Sequence, residues 1–390
     1  MTRRLKIISC CINFPTQNDP TKGLFVKRRL ESVSRLADLR MLNPQPFFPV
    51  LRNRRDDAPL PDCIFSADIR RMFYLPGVAK QLDGWWLQRC LSRWLDSLPT
   101  DAVKDAIIDA HFGYPDGVGC YRVARERKLP LFITVRGLET ELMNVPAIKS
   151  QMLESFEYAR GIIAVSDSLK QTLVENGVPS EKIRVIANGV DGVIYSPGER
   201  AVARKKLGVD EDLKILVSVG NVQRRKGYDI LLEAVESFRT MDRFLAVIIG
   251  GTSEASMMDF LRTRAKETGL EKKIWFLGAK TPDVVVDWLR AADTFVLPTR
   301  REGCCNAVLE ALSTGTPVIS TPAGDNTKFV TNGFNGFLVP HEDPASLNQA
   351  IKRSWTHDWN SDQIAASVRP YTWEGVAENV VAYFNECLFS

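Results

Sequence analysis

The sequence predicts an α/β protein with two doubly wound, Rossmann-like domains that face each other across a cleft. Short apolar runs alternate with helical stretches along most of the 390 residues, and this alternation is typical of a parallel sheet with helices on both faces. The chain is long enough for two domains of ordinary size. The alternation also restarts after a glycine-containing segment at residues 188–198.

The restart of the pattern sets the predicted domain boundaries. The N-terminal domain covers residues 1–190, and residues 191–200 form a linker. The C-terminal domain covers residues 201–370. The helical spacing of apolar residues in 371–390 predicts a last helix that packs back on the N-terminal domain.

The composition is that of a soluble globular protein, with 45% hydrophobic residues, 25% charged residues and a net charge of +4. The eight cysteines include no Cys-x-x-Cys pair, and we interpret them as small buried residues in a reducing compartment. No run reaches the ~18 apolar residues of a membrane span. The sequence has neither zinc-ligand spacing nor a nucleic-acid-binding motif, which argues against nucleic acid as a partner. We therefore expect a cytosolic protein.

The loop after the first predicted strand contains one glycine, Gly23, directly before a predicted helix at residues 25–37. A glycine at this junction permits close approach of the backbone to a ligand. A simple loop glycine is the alternative interpretation, and by itself Gly23 does not decide between them.

Five apolar runs predict the parallel strands of the N-terminal domain: 5–12, 106–110, 131–135, 162–165 and 183–186. Three of these runs end at polar residues, namely His111, Arg136 and Ser166. Ligands of doubly wound sheets bind beyond the carboxyl ends of the strands, so we expect these three side chains on the functional side. A purely structural role for His111 stays open.

Residues 41–100 give no clear strand, because prolines interrupt every apolar stretch. A predicted helix at residues 84–95 is aromatic, basic and amphipathic. Such a helix either lies on a membrane or packs on its own domain. Basic residues are also concentrated in the first 71 residues: Lys22, Lys27, Arg28, Arg29, Arg35, Arg40, Arg52, Arg54, Arg55, Arg70 and Arg71. They indicate either a surface for anionic lipid or a phosphorylated substrate, or a solvated helix face.

Six further runs predict the strands of the C-terminal domain: 214–219, 244–249, 274–277, 294–297, 317–320 and 336–339. The loop after the first of these is cationic, and a helix at about 229–238 follows it. Arg225 and Lys226 in this loop could neutralise a diphosphate. A solvated basic turn is the alternative.

The segment 297–320 holds the strongest functional signal. Pro298 ends a strand, and Asn306 is the predicted N-cap of a helix that Gly315 terminates. Glu302 precedes this helix and Glu310 lies about one turn inside it. The free amides of the helix start suit a phosphate, and the carboxylate one turn further in suits a sugar hydroxyl. Together they predict a nucleotide-sugar site, whereas either glutamate alone would be read as a surface residue.

Several motifs resemble those of the family 4 glycosyltransferases, which have the two-domain B-type glycosyltransferase fold. The resemblance extends over nearly the full chain and is weakest at residues 41–100. It is carried by 23–27, 110–117, 163–166, 186–191, 225–227 and the two glutamates. The early motifs look most like members that build bacterial surface polysaccharides.

The resemblance implies roles for individual residues. Gly23 would lie near the donor diphosphate, and Arg225 and Lys226 would bind its phosphates. Gly303, Cys304, Cys305 and Asn306 would present helix amides to the same group. Glu310 would bind the ribose and Glu302 would lie beside the transferred sugar, which His111 would also reach. Arg136 and Ser166 would lie on the acceptor side.

Three positions depart from the family pattern. Asn221 stands where the family often has arginine, Arg136 stands where histidine is usual, and Lys328 stands where glutamate is common. The third position is usually near the ribose or the donor loop, so the choice of donor is the property that these departures put in question.

The sequence thus predicts a retaining glycosyltransferase that moves a sugar from a nucleoside-diphosphate sugar to a glycan or lipid-linked glycan acceptor, in cell-surface polysaccharide biosynthesis. We expect no cofactor and no metal, and a cytoplasmic location, with an anionic surface at the inner face of the membrane as a candidate partner. Two alternatives remain open: a catalytically silent nucleotide-sugar-binding subunit and a nucleotide-sugar epimerase. A dinucleotide-dependent dehydrogenase is disfavoured because no Gly-x-Gly-x-x-Gly follows the first strand.

Overall fold

The computed structural model describes residues 4–20, 22–48, 63–75, 77, 79–252 and 254–389. The chain forms two compact units. Unit 1 comprises the chain up to Gly189 together with the C-terminal segment from Trp373, and unit 2 runs from Val190 to Thr372. Arg52, Arg54 and Arg55 of the predicted basic segment lie outside the described residues.

The described part of unit 1 contains a seven-stranded parallel sheet in the order β3-β2-β1-β4-β5-β6-β7. Its strands are β1 (Lys6–Cys10), β2 (Asp38–Phe47), β3 (Ser66–Phe73), β4 (Ala106–His111), β5 (Leu131–Val135), β6 (Gly161–Ala164) and β7 (Ile183–Val185). The strand order reverses direction between β1 and β4, and the carboxyl ends of these two strands therefore form the switch point of unit 1.

The prediction that residues 41–100 contain no clear strand is wrong, because β3 and part of β2 lie in this range. Asp38 donates its N–H to Leu5, and the Leu42 carbonyl accepts from Cys11, so even-numbered residues of β2 face β1. Pro44 and Pro46 face the same way, but β1 pairs only as far as Leu42. Their missing N–H groups therefore cost no ladder hydrogen bond with β1, and β3 still pairs with this part of β2 on the other side.

The helices of unit 1 are α1 (Leu24–Leu36), α2 (Asp83–Asp96), α3 (Thr100–Val103), α4 (Val118–Arg127), α5 (Glu139–Leu142), α6 (Pro146–Tyr158), α7 (Asp167–Glu175) and, from the end of the chain, α16 (Trp373–Phe389). The last helix packs against α1 and contributes to the core of unit 1. Phe384 of α16 has no exposed surface, and its ring centroid lies 4.4 Å from that of Phe132 on β5.

The helix α2 packs within its own unit. Leu87, Leu91, Trp94 and Leu95 are buried along one side of it, and its neighbours are β2, β3 and α4. The amphipathic pattern at residues 84–95 is therefore explained first by packing within unit 1. Among the described residues, no helix combines the length and the apolar character that a membrane span requires.

The described part of unit 2 contains a six-stranded parallel sheet in the order β10-β9-β8-β11-β12-β13. Its strands are β8 (Lys214–Val219), β9 (Phe244–Ile249), β10 (Ile274–Gly278), β11 (Thr294–Leu297), β12 (Val318–Ser320) and β13 (Gly336–Leu338). The switch point lies between β8 and β11.

The helices of unit 2 are α8 (Arg200–Leu207), α9 (Tyr228–Val235), α10 (Ala255–Glu267), α11 (Pro282–Ala291), α12 (Asn306–Ser313), α13 (Asn326–Phe329), α14 (Pro344–Thr356) and α15 (Ser361–Ala366). Residues 191–200, the predicted linker, belong to this unit. Tyr195 is buried there, and its carbonyl accepts a hydrogen bond from Ser313 of α12.

Candidate active site

The switch point of unit 2 brings together two loops that the sequence separates by about 75 residues. One follows β8 and contains a short 3-10 turn, Arg224–Lys226. The other follows β11 and leads into α12. Because β8 and β11 are adjacent and parallel, both loops leave the sheet at the same edge. This edge is where doubly wound sheets bind their ligands.

Glu302 is the centre of this site. Its Oε1 accepts hydrogen bonds from Lys226 Nζ at 2.6 Å and from Thr299 Oγ1 at 3.0 Å, and its Oε2 lies 3.2 Å from Arg225 Nη1. The Glu302 side chain is only 6% exposed, whereas that of Arg225 is 43% exposed. The carboxylate is therefore desolvated and lies between two cations, one buried and one open to solvent.

The ionisation of Glu302 follows from these contacts. Burial by itself raises the pKa of this carboxyl. The charges of Lys226 and Arg225, with the hydrogen bonds from Lys226 and Thr299, outweigh burial and hold the pKa below its ordinary value. Glu302 is therefore an anion at neutral pH, and it compensates the two cations that the sequence assigned to a diphosphate.

Arg300, which no sequence motif indicated, joins the two loops. Its guanidinium makes a bidentate ion pair with Asp229, with both N···O distances at 2.9 Å, and Nη2 also lies 2.9 Å from Glu342 Oε2. Its backbone N–H donates to the Arg225 carbonyl at 2.8 Å. Asp229 lies in the first turn of α9 and Glu342 follows β13, so the Arg300 side chain fixes the loop between Pro298 and Glu302 against two other segments.

Gly227 permits the close packing of the two loops. It has a φ of +72°, and a Cβ built on it would lie 2.0 Å from the Pro298 carbonyl oxygen. Neither the left-handed backbone nor the contact tolerates a side chain. The cationic turn is therefore pressed directly against the end of β11, which is why Lys226 reaches Glu302.

The helix α12 begins at Asn306, one residue earlier than a cap at this position predicts. Asn306 is the first helical residue, Cys305 occupies the N-cap position, and no side chain caps the helix start. The prediction of Asn306 as N-cap is therefore wrong. The Cys305 carbonyl accepts from Val308, and the preceding amides have no intrahelical acceptor by geometry. Gly303 and Cys304 form the loop before the helix, and the half-buried Glu310 is its fifth residue.

The switch point of unit 1 holds the second cluster, centred on His111. The ring is buried, with Nε2 3.2 Å from Asp109 Oδ2 and 3.1 Å from Ser9 Oγ, and Nδ1 3.2 Å from Arg136 Nη2. A guanidinium can only donate, so Nδ1 accepts and Nε2 carries the proton. Burial lowers the pKa of His111 to about 4 despite the attraction of Asp109, and the ring is neutral at pH 7.

Arg136 is linked to several elements of unit 1. Nη1 donates to Asn188 Oδ1 at 2.8 Å, and the guanidinium carbon lies 5.1 Å from the centre of the Phe25 ring at the start of α1. Burial lowers the pKa of Arg136 to about 9. The structure thus joins Arg136 and His111, two predicted site residues, in one hydrogen-bonded pair.

Buried acidic residues hold the loops of unit 1, and the sequence analysis missed them. Glu139 accepts from the backbone N–H groups of Gly113, Arg136 and Gly137 at 2.7 to 3.0 Å. Asp116 accepts from the Ile12 N–H at 2.8 Å. Their position in the loop after a strand end, or shortly beyond it, was the available signal, because buried backbone donors at such a loop need acceptors.

Arg29 belongs to the interior and not to a basic surface. It is 3% exposed, donates to Thr134 Oγ1 at 2.7 Å and lies 3.7 Å from Asp109. Lys27 is also buried and pairs with Glu31 at 2.6 Å. The interpretation of the whole basic segment as one surface is therefore wrong for these two residues.

Two other predicted residues have structural explanations in unit 1. Gly23 is the N-cap residue of α1 with a φ of +61°, and a Cβ on it would lie 1.8 Å from the Asn13 carbonyl oxygen. The close approach that Gly23 permits is therefore to the backbone at Asn13. Ser166 caps α7, since its Oγ accepts from the Leu169 N–H at 3.2 Å. Capping accounts for the serine at that strand end.

The three departures from the family pattern have distinct surroundings. Asn221 is exposed in the loop after β8. Lys328, on α13, lies 3.4 Å from the buried Asp325 carboxylate.

In the described ranges, no group of three or more His, Cys, Asp or Glu side chains could hold a metal ion.

The chain is similar to glycosyltransferases in each comparison with known proteins. The family Glycosyl transferases group 1 matches residues 199–366, and Glycosyltransferase Family 4 matches residues 50–192. The D-inositol 3-phosphate glycosyltransferase of Acidothermus cellulolyticus is 26% identical over 356 residues, which are 86% of this chain and 73% of that relative. The enzyme of the same name from Corynebacterium urealyticum is 32% identical over 239 residues, 57% of this chain and 56% of that relative.

Solved structures share the fold. The sucrose-phosphate synthase of Thermosynechococcus elongatus has a TM-score of 0.80 at 18% identity, with 99% of both chains covered. Anabaena HepE, solved in complex with UDP and glucose, has a TM-score of 0.77 at 17% identity, with 98% of this chain and 99% of that chain covered. The predicted fold class, two doubly wound Rossmann-like domains, is confirmed.

The fold and the matched families define the protein as a glycosyltransferase. The chain belongs to glycosyltransferase family 4, with the B-type glycosyltransferase fold. It is an enzyme of the hexosyltransferase class.

Proposed function

We propose that the chain is a retaining glycosyltransferase whose donor is a nucleoside-diphosphate sugar bound at the switch point of unit 2. The observation that carries this proposal is the contact of Glu302 with Lys226 and Arg225 beside the start of α12. Two cations and the backbone amides at the start of a helix suit a diphosphate. HepE, which has the same fold, was solved with UDP and glucose, and this is consistent with a donor of the same type.

The chemistry of the proposal is charge stabilisation and orientation. Arg225, Lys226 and the amides of residues 303–306 would stabilise the diphosphate as it leaves. Glu310 would accept hydrogen bonds from the ribose hydroxyls. Glu302 would face the positive charge that develops at the anomeric carbon, on the side where the new bond forms with retained configuration.

Unit 1 holds the other predicted site residues. In this proposal a donor-sugar hydroxyl replaces Arg136 as the group that donates to His111 Nδ1. The neutral, Nε2-protonated ring keeps that lone pair available across the physiological pH range. Arg136 would then turn to the acceptor. Gly23 and Ser166 would act only through the loops that they shape.

The acceptor in this proposal is a glycan or a lipid-linked glycan of a cell-surface polysaccharide, and the reaction takes place in the cytoplasm at the inner face of a membrane. The exposed arginines and aromatic residues on one surface of unit 1 support this location. We also propose that the transfer needs no divalent metal, because Arg225 and Lys226 provide the positive charge that a metal supplies elsewhere. Unchanged transfer rates in EDTA would agree with this, and a loss restored by Mg²⁺ would contradict it.

A thermal-shift panel with UDP, GDP, ADP and their common sugars tests the donor site on wild type and on Glu310→Ala. A ligand of the native state raises the unfolding midpoint by mass action. We expect one nucleotide to shift wild type clearly and Glu310→Ala less. The anomeric configuration of the product, read by NMR, tests retention. If no nucleotide shifts the midpoint, the donor site is assigned wrongly.

A further inference from the structure

A groove in unit 1 is lined by four arginines. It has a volume of about 430 Å³ and lies between β3 and α2. Arg70 and Arg71 come from β3, Arg89 and Arg93 from α2, and Phe73 and Trp86 complete its walls. We call it the arginine groove. The strand β3 is an edge strand, paired only with β2 among the described strands.

The arginine groove has an excess of positive charge. None of the described residues that line it is acidic. Within the described residues, no carboxylate lies within 4.0 Å of Arg70, Arg89 or Arg93. The nearby Asp68 accepts from the Trp94 indole at 2.8 Å. Burial raises the pKa of Cys90, in the groove wall, to about 11, so this thiol adds no negative charge.

Packing alone does not explain this arrangement. Arginines on an edge strand protect it from pairing with other strands, and this accounts for Arg70 and Arg71. Arg89 and Arg93 lie four residues apart on a helix, where like charges repel each other and destabilise the helix. Arg70, Arg89 and Arg93 lie in one groove with no described carboxylate within 4.0 Å of them, which is unfavourable unless an anion binds there.

Aromatic rings beside the groove indicate the kind of anion. The centroids of Phe73 and Trp86 are 4.4 Å apart, those of Trp85 and Trp86 are 4.3 Å apart, and Phe48 continues the row at 5.9 Å from Phe73. Arg89 lies over the Trp85 ring at 4.2 Å. These rings are half-buried. Tryptophan beside arginine is typical of surfaces at the level of lipid headgroups.

We propose that the arginine groove and its aromatic row form a docking surface for the phosphate groups of anionic phospholipids. This inference rests on the proposed membrane-side location and names the surface responsible for it. Lys27 and Arg29, which are buried, take no part. Each arginine near an anionic leaflet strengthens binding by roughly fivefold, so the double variant Arg89→Gln/Arg93→Gln should bind about 25-fold more weakly.

Vesicle sedimentation tests the proposal with the full chain. Wild type should pellet with vesicles of phosphatidylcholine and phosphatidylglycerol, less so at high salt, and not with phosphatidylcholine alone. The matched control is Arg262→Gln/Lys266→Gln, which removes an exposed basic pair at the same spacing from α10 of unit 2. The control should bind like wild type, and all proteins should keep the same nucleotide thermal shift.

Several results would overturn the docking surface. One is that Arg89→Gln/Arg93→Gln binds vesicles as well as wild type, or that both double variants lose binding equally. Another is that wild type binds both kinds of vesicle equally well, or binds no vesicles. Binding to poly-glutamate without vesicle binding would assign the groove to an acidic protein instead. If no nucleotide raises the unfolding midpoint of wild type, the donor site is refuted, and the vesicle result is judged separately.

Discussion

The carboxylate of Glu302 and the ammonium group of Lys226 lie 2.6 Å apart, and both side chains are about nine-tenths buried. In the proposed function, the same ammonium group binds the donor diphosphate. On this proposal, the Glu302 carboxylate takes the place of a phosphate in the protein without donor, and donor binding would loosen the ion pair.

Exchange of Glu302 for the neutral glutamine separates binding from transfer. Glu302→Gln leaves Lys226 and Arg225 without their anion, so we expect UDP to bind about tenfold more tightly, or about 1.4 kcal/mol. The rate of sugar transfer should fall about a hundredfold or more, because the charge facing the anomeric carbon is lost. Titration calorimetry with UDP and initial transfer rates measure the two effects.

The comparison variant for this prediction is Glu310→Ala, which should weaken UDP binding. Glu302→Gln should also unfold more easily without ligand, because it leaves a buried cation unpaired, and UDP should restore stability. Weaker binding of UDP to Glu302→Gln than to wild type would contradict the idea that the carboxylate competes with phosphate.

Arg300 positions the loop that carries Glu302. Arg300→Gln loses the fork onto Asp229 and the contact with Glu342, and we expect a loss of about 2 kcal/mol in the free energy of unfolding. The transfer rate should fall more than UDP affinity, because Glu302 moves relative to the sugar. The control is Arg239→Gln, which loses a 3.9 Å ion pair with the Glu236 carboxylate and a 3.5 Å hydrogen bond to the Glu236 carbonyl. Both contacts are exposed, and their loss should cost less than about 0.5 kcal/mol. Equal behaviour of the two variants would refute the positioning role.

Asp116 makes stability depend on pH. Burial raises the pKa of this carboxyl to about 8, above its unfolded value of about 3.9. The folded state therefore holds a proton that the unfolded state releases, and this stabilisation is complete at low pH and is lost as pH rises through 8. Between pH 7 and pH 9, wild type should lose about 1.4 kcal/mol more than Asp116→Asn.

Urea unfolding at the two pH values measures this difference, and the asparagine keeps an oxygen that can accept from Ile12. Asp38→Asn, at an exposed carboxyl, is the control and should keep the wild-type pH dependence. Parallel curves for wild type and Asp116→Asn would show that the buried carboxyl does not hold its proton.

The last helix is part of the core of unit 1. Phe384 has no exposed surface and lies against Phe132, so Phe384→Ala should cost about 3–5 kcal/mol in unfolding free energy. Phe389, on the same helix, is 84% exposed, and Phe389→Ala should change stability by less than about 0.5 kcal/mol. Chemical denaturation compares them. A small loss in Phe384→Ala would mean that α16 contributes little to unit 1.

The sequence by itself determined most strands, the two-domain α/β class and the segments that form the proposed donor site. Apolar runs such as 214–219 and 244–249 match their strands because a strand buried on both faces needs a continuous apolar sequence. The sequence failed at β2 and β3, where tolerance of Pro44 and Pro46 depends on the length of the neighbouring strand β1.

Only the tertiary structure decided which of these residues meet. Strand order places the loops after β8 and β11 together, and sequence spacing carries no information on strand order. The pairing of Glu302 with Lys226, the tautomer of His111 and the burial of Arg29 are likewise set by neighbours distant in sequence. The sequence specifies which side chains can carry a charge, but the packed fold determines their solvation and their partners.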